Sequence, residues 1–178
     1  MLTRTIYILM IFMALLGGAG CVTEKDEPVV ALGPGDAVPM FEVTLDDGTH
    51  FGYADMRQGP CVVTFFDTSC PDCRAALPVV QAVADRILVQ SRGVRFVCIA
   101  RAEGESSIAP YWRQAALTMP YSPQPDDRVY RLFANRIIPR IYITVPGADE
   151  SAAPVIADMF VEHVTEEALL SAIIRTGK

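Results

Sequence analysis

Positive charge is scarce and scattered in this chain. Its 178 residues hold 15 Lys and Arg against 21 Asp and Glu, a formal net charge of -6 at pH 7. No basic run occurs, and gripping a phosphate backbone takes clustered cations, so a nucleic-acid partner is not expected. Histidine is scarcer still, with 2 in the whole chain. His50 and His163 stand far from each other and lack zinc-knuckle spacing, so a zinc site lacks its second pair of ligands and no metal is expected. Long apolar runs are also missing. The run at residues 6–16 falls well short of the roughly 20 apolar residues that span a bilayer. No internal repeat or low-complexity tract is present. What the chain does hold is apolar bulk, 51% against 20% charged. That is enough to pack a core and to exclude wholesale disorder. A chain of this size fits one domain with accessory ends.

The N-terminal end has its own pattern. Arg4 and the apolar run lead into Gly17-Gly18-Ala19-Gly20, directly before Cys21. Small residues before a cysteine resemble a bacterial lipoprotein signal. On that resemblance residues 1–20 are a cleaved signal and Cys21 is the lipidated first residue. The pattern departs at Gly18, where such signals prefer leucine. An uncleaved anchor helix stays open as the alternative, because Thr5 to Thr23 carries no charge. Both readings place the rest of the chain outside the cytoplasm, held to a bacterial membrane, facing the periplasm or the cell surface. Residues 21–34 mix charge, Gly and Pro without periodicity and are expected to form a tether. The domain proper is then expected over 35–178. Disulfides persist outside the cytosol, so Cys61, Cys70, Cys73 and Cys98 meet an environment where thiol redox chemistry is usable.

Along that domain, Phe41 to Leu45 alternates apolar and polar residues, and Asp46-Asp47-Gly48 then leads into Thr49 to Tyr53, a hairpin signal. Cys61 to Phe66 is a near-continuous apolar run, as in a strand buried on both faces. Residues 71–90 carry helical spacing through Leu77, Val80, Val83, Ile87 and Leu88, closed by Gly93. Val94 to Ala100 reads as a second buried strand, and 107–116 and 126–134 as helices. Ile141 to Val145 and Val155 to Val161 read as paired strands. Thr165 caps a last helix whose Glu166 and Glu167 suit the positive first turn. The order gives an α/β domain with a five-stranded mixed sheet covered by helices on both faces, preceded by a β-hairpin.

The chemistry concentrates in Thr68-Ser69-Cys70-Pro71-Asp72-Cys73-Arg74, between a buried strand and a helix. Cysteines three apart on one helical turn are close enough to bridge. At the helix N-terminus, unpaired N–H groups and the macrodipole favour a Cys70 thiolate, the form that attacks a disulfide. Pro71 suits the first helical turn, and Cys73, one turn inside, is placed to resolve a mixed disulfide. Here the chain resembles the thioredoxin family, in its membrane-anchored extracytoplasmic TlpA/ResA branch, over about residues 35–178. Gly35-Asp36-Ala37-Val38-Pro39-Met40-Phe41 is similar to that branch's opening motif. Pro78 falls where the family kinks its active-site helix. Ile138-Pro139 matches its cis-proline, which packs beside the disulfide and helps hold substrate chain. The resemblance implies thiol–disulfide exchange with protein thiols and disulfides of the cell envelope, through Cys70 and Cys73, with Ile138 and Pro139 as the substrate-side wall. It also implies a reductant or electron relay. A monomer without cofactor is expected. Three positions depart from the family: Ser69 stands where it usually has tryptophan, Thr64 where many members have a buried acid or asparagine, and Ala76 where some reductive members have glutamate. Asp67 is the nearest candidate proton shuttle for Cys73, and it also reads as a solvent-facing residue at a strand end.

Other readings of the pair are weaker. A structural Cys70–Cys73 bridge closes a very small loop and stabilises little. A peroxiredoxin-like peroxidase places Thr three residues before its reactive cysteine and Pro four before that Thr. Asp67 and Val63 stand there instead. A thioredoxin-like module that only binds a partner remains the non-catalytic alternative. Cys61 and Cys98 read as small buried hydrophobes, Tyr111 and Trp112 as core aromatics, and Arg136 and Arg140 as surface arginines.

Overall fold

The computed structural model describes residues 31–90 and 93–176. The expected signal at 1–20, the lipidation site Cys21 and the tether as far as residue 30 lie outside the described residues.

Two strands, β1 (Glu42–Thr44) and β2 (His50–Gly52), form an antiparallel hairpin closed by Gly48 at φ 84°. A single helical turn follows, α1 (Tyr53–Met56). The main sheet comprises β3 (Cys61–Phe66), β4 (Arg95–Ala100), β5 (Tyr121–Ser122), β6 (Arg140–Val145) and β7 (Val155–Val161), in the order β5-β4-β3-β6-β7. β3 runs parallel to β4 and antiparallel to β6, β4 is parallel to β5, and β6 is antiparallel to β7. Parallel neighbours require crossover connections. These are α2 (Pro71–Val89) between β3 and β4 and α3 (Glu105–Gln114) between β4 and β5. The chain closes with α5 (Glu166–Thr176), after the short α4 (Arg128–Arg131) between β5 and β6.

β3 is the centre of the sheet and every one of its residues is buried, which is why its sequence does not alternate. Val62 and Phe66 join Phe96, Cys98, Ile141 and Ile143 under α2, α3 and α5. Val63 and Phe65 face the other way, with Val97, Ile99 and Tyr142, towards Val43 and Phe51 of the hairpin, Met56, Tyr130 and Phe133. Phe65 packs on Tyr130, Phe133 and Tyr142 with ring centroids 5.4, 5.0 and 6.2 Å apart. The mixed sheet with helices on both faces and the N-terminal hairpin is thus the architecture. On the hairpin side the helical cover consists of the single turns α1 and α4.

The structure redraws three segments. The helix expected over 126–134 shrinks to Arg128–Arg131. Its end is unwound because Ala134 bridges to Ala31 and the Phe133 carbonyl accepts the Leu32 N–H at 2.8 Å. The same two contacts dock residues 31 and 32, at the end of the expected tether, onto the domain. Finally, β5 is a two-residue edge strand that no sequence pattern announced.

Candidate functional site

The site is assembled where β3 ends. Asp67 turns the chain: its Oδ1 accepts the Ser69 N–H at 2.7 Å and the Ser69 hydroxyl at 2.6 Å, and its carbonyl accepts the Cys70 N–H at 3.1 Å. Such Asx turns offer the backbone an alternative to continuing the strand. Cys70 emerges as the N-cap of α2, extended at φ -78° and ψ 120°, with Pro71 in the first turn. The Arg74 N–H closes that turn on the Cys70 carbonyl at 3.1 Å. A 19-residue helix therefore points its positive end at one sulfur. The turn is clamped from outside by Glu103, in the loop between β4 and α3. One carboxylate oxygen accepts the Thr68 N–H at 2.8 Å, and the other accepts the Thr68 hydroxyl.

The two sulfurs differ in surroundings. Cys70 is half-buried and Cys73 has no exposure. Both are thiols in this structure. Cys73 lies in the same apolar cluster as Leu77 and Ile141. That burial pushes its thiol far above the ordinary cysteine range. The Asp67 backbone N–H opposes the shift, while Cys70 and the Asp67 charge add to it. Cys70 donates its S–H to the Ile138 carbonyl at 3.7 Å. The Ile138–Pro139 bond is cis, the state the resemblance implies. Pro139 is buried, and its carbonyl accepts the Glu162 N–H at 3.1 Å. Ile137, at φ 63°, is 45% exposed beside it. On the helix side, the Arg74 guanidinium lies 5.5 Å from the Tyr111 ring centroid.

The structure thus brings Cys70, Cys73, Ile138 and Pro139 to one end of the sheet. It leaves Cys61 on the opposite face of the sheet and Cys98 within the apolar cluster that also holds Cys73. Burial raises both thiols, Cys61 to about 11. Trp112 is a core residue whose Nε1–H donates to the Met119 carbonyl at 2.9 Å, while Tyr111 is half-buried at the site's rim. Arg140 corrects the reading of a surface arginine, being only 4% exposed. Alternation along β6 puts it on the same face as buried Tyr142, and that alternation was visible in the sequence. Glu103 went unnoticed for lack of any local signal, since its partner lies 35 residues away. Among the described residues, no three His, Cys, Asp or Glu side chains group as metal ligands.

A five-stranded mixed sheet whose central strand feeds a cysteine-capped helix, facing a cis-proline, defines a thioredoxin-like domain. The chain belongs to the AhpC/TSA family, whose model matches residues 34–147. A search of curated proteins returned no match. Among solved structures, it is similar to a thiol:disulfide interchange protein of the thioredoxin family from Chlorobium tepidum, at 22% identity over 84% of this chain and 99% of that one, with a TM-score of 0.64. It is also similar to a secreted disulfide oxidoreductase from Mycobacterium tuberculosis (18% identity, 76% and 96% coverage, TM-score 0.62). A secreted thiol-disulfide isomerase from Corynebacterium glutamicum is a third neighbour (15% identity, 87% and 95% coverage, TM-score 0.65). At these identities the likeness establishes the fold.

Proposed function

We propose that this chain is a thiol–disulfide oxidoreductase acting on envelope proteins outside the cytoplasm, tethered to the membrane through a lipidated Cys21. One observation carries the reading. Two thiols one helical turn apart occupy unequal positions, with Cys70 half-buried at the helix N-terminus and Cys73 sealed in the core. That inequality suits sequential exchange. In the reductive direction, the Cys70 thiolate attacks one sulfur of a substrate disulfide and forms a mixed disulfide. The other substrate sulfur leaves as a thiolate and takes up a proton. Cys73 then loses its proton and attacks the Cys70 sulfur, forming the Cys70–Cys73 disulfide and expelling the second substrate thiolate. Two electrons and two protons pass to the substrate. Ile138 and Pro139 form the wall against which the substrate chain lies. We assign the reductive direction because the branch that the sequence resembles works mostly that way. The neighbours described as secreted support the extracytoplasmic placement, as does the pattern before Cys21. Among the described residues, no helix is long and apolar enough to cross a membrane.

A glutathione redox titration of residues 22–178 tests this, with free thiols trapped by maleimide and counted by mass. The expected result is one two-electron couple for Cys70 and Cys73, with Cys73→Ala accumulating a mixed disulfide at Cys70. A pair locked in one state across the range would replace this reading with a partner-binding module. Consumption of hydrogen peroxide at a comparable rate would replace it with a peroxidase.

A further inference from the structure

Among the described residues, Arg140 is a buried cation without a counter-ion. It is 4% exposed, none of the ion pairs among the described residues includes it, and its Nε has no hydrogen-bond partner. Burying a guanidinium this way is costly unless neutral dipoles surround it. The dipoles present come from the loop before β6 and from two tyrosines. The Arg140 Nη2 donates to the Arg136 carbonyl at 3.3 Å. The guanidinium also lies beside the phenol oxygens of Tyr130 and Tyr142. Tyr130 in turn donates its single hydroxyl hydrogen between two carbonyls, that of Arg136 and that of Ile137, the latter at 2.9 Å. The Tyr130 ring is held from another side by Arg101, whose guanidinium lies 4.9 Å from the ring centroid and whose N–H donates to the Phe66 carbonyl at 2.8 Å.

Consecutive carbonyls of the loop therefore point in different directions for identifiable reasons. Those of Arg136 and Ile137 are drawn inward by Tyr130 and Arg140, while that of Ile138 is left facing Cys70. We propose that Arg140 and Tyr130 are positioning residues that fix the 136–138 loop against Cys70, so that a protein substrate meets a preformed wall. Neither touches the reacting sulfurs. The inference rests on the oxidoreductase reading, in which a protein disulfide spans both Cys70 and this loop, whereas a small disulfide needs only Cys70.

That difference supplies the test. Reduction of insulin and of glutathione disulfide is measured with wild type, Tyr130→Phe and Arg140→Met, together with the melting temperature of each. The expected outcome for both variants is a KM for insulin raised about fivefold to tenfold by the misplaced wall, with kcat and the glutathione-disulfide rate within about twofold of wild type. Arg140→Lys keeps one donor for the Arg136 carbonyl and loses the planar fork, and gives an intermediate KM. It decides the matter if the other variants do not fold. Folded variants whose insulin KM equals that of wild type overturn the inference and leave the oxidoreductase reading intact. So do variants that lose both reactions equally, which marks a purely structural role. A wild type that reduces neither probe overturns both.

Discussion

Removing the Glu103 carboxylate tests the clamp on the turn before Cys70. Glu103 accepts two hydrogen bonds from Thr68, one from the N–H at 2.8 Å and one from the hydroxyl. A hydrogen bond to a charged group contributes about 1.5–3 kcal/mol net where it is sheltered. Both residues are half-exposed, so water replaces part of what is lost, and the pair together contributes about 2 kcal/mol by the same measure. Glu103→Ala is therefore expected to lower the melting temperature by roughly 4–8 °C for a domain of this size. The urea midpoint should fall by about 1 M at unchanged slope. Thr68→Val removes the hydroxyl but keeps the N–H, so it should cost about half as much. A double-mutant cycle between the two positions should return a coupling of about 1 kcal/mol. A Glu103→Ala melting temperature within about 1 °C of wild type, or a coupling near zero, would refute the clamp, since contacts of this kind couple measurably.

Native labelling with iodoacetamide should modify Cys70 fast and leave Cys61, Cys73 and Cys98, all with no exposure, to react only on unfolding. Equal rates at Cys70 and Cys73, read by peptide mass, would contradict the proposed roles. Because burial raises the Cys73 thiol, resolution of a trapped mixed disulfide should speed up about tenfold per pH unit from pH 6 to 8, and a flat profile in rapid quench would dispose of that cause. Cys98 has its thiol raised in the folded state, so it keeps a proton that the unfolded chain releases. Its contribution to stability is full below about pH 8.5 and is lost as pH rises towards the folded value. Urea midpoints at pH 7 and 9.5 should show that decline, and Cys98→Ala should make it shallower, with the buried Cys61 and Cys73 thiols contributing to what remains. The Thr64 hydroxyl is buried without a partner among the described residues, so Thr64→Val should leave stability unchanged or raise it by about 1 kcal/mol. A loss beyond about 1 kcal/mol would show that the hydroxyl has a partner worth that much.

Features that local pattern encodes were legible in the sequence. The near-continuous apolar run of β3 follows from burial on both faces, and the hairpin from Asp47-Gly48. The long helix and the placing of Cys70 and Cys73 followed from spacing and from the proline between them. What was not legible depends on contacts made at a distance. Residues 126–134 carry helical spacing, yet the helix ends at Arg131, and beyond it the Phe133 carbonyl and the Ala134 bridge are given to the chain at 31–32. β5 has two residues, between Pro120 and Pro123, too few to show a period of two. Arg140 was read as a surface residue because the expected strand began at Ile141, one residue short of where β6 starts. Glu103 sits in a loop and meets its partner only because β3 and β4 are parallel neighbours ending at the same edge.

The departures from the resembling branch bear on where the Cys73 proton can go. The core beneath Cys73 offers no base among the described residues. Thr64 shares the α2-facing side of the sheet with Val62 and Phe66, and a hydroxyl is no base for a thiol proton at working pH. Its neighbour across the strand pair is Cys98, itself held protonated by enclosure. The side chains whose charge or hydrogen bonding raises the Cys73 thiol are Cys70 and Asp67, and the Tyr111 phenol at the rim also interacts with it; all three lie towards the site's opening. The Asp67 carboxylate commits Oδ1 to Ser69, leaving Oδ2 without a hydrogen bond to the turn. A proton leaving Cys73 therefore departs towards the turn and the bound substrate, and not through the interior. With Thr64 in place of a buried acid, that proton leaves past the turn to solvent before Cys73 attacks, which is why the resolving step should follow pH.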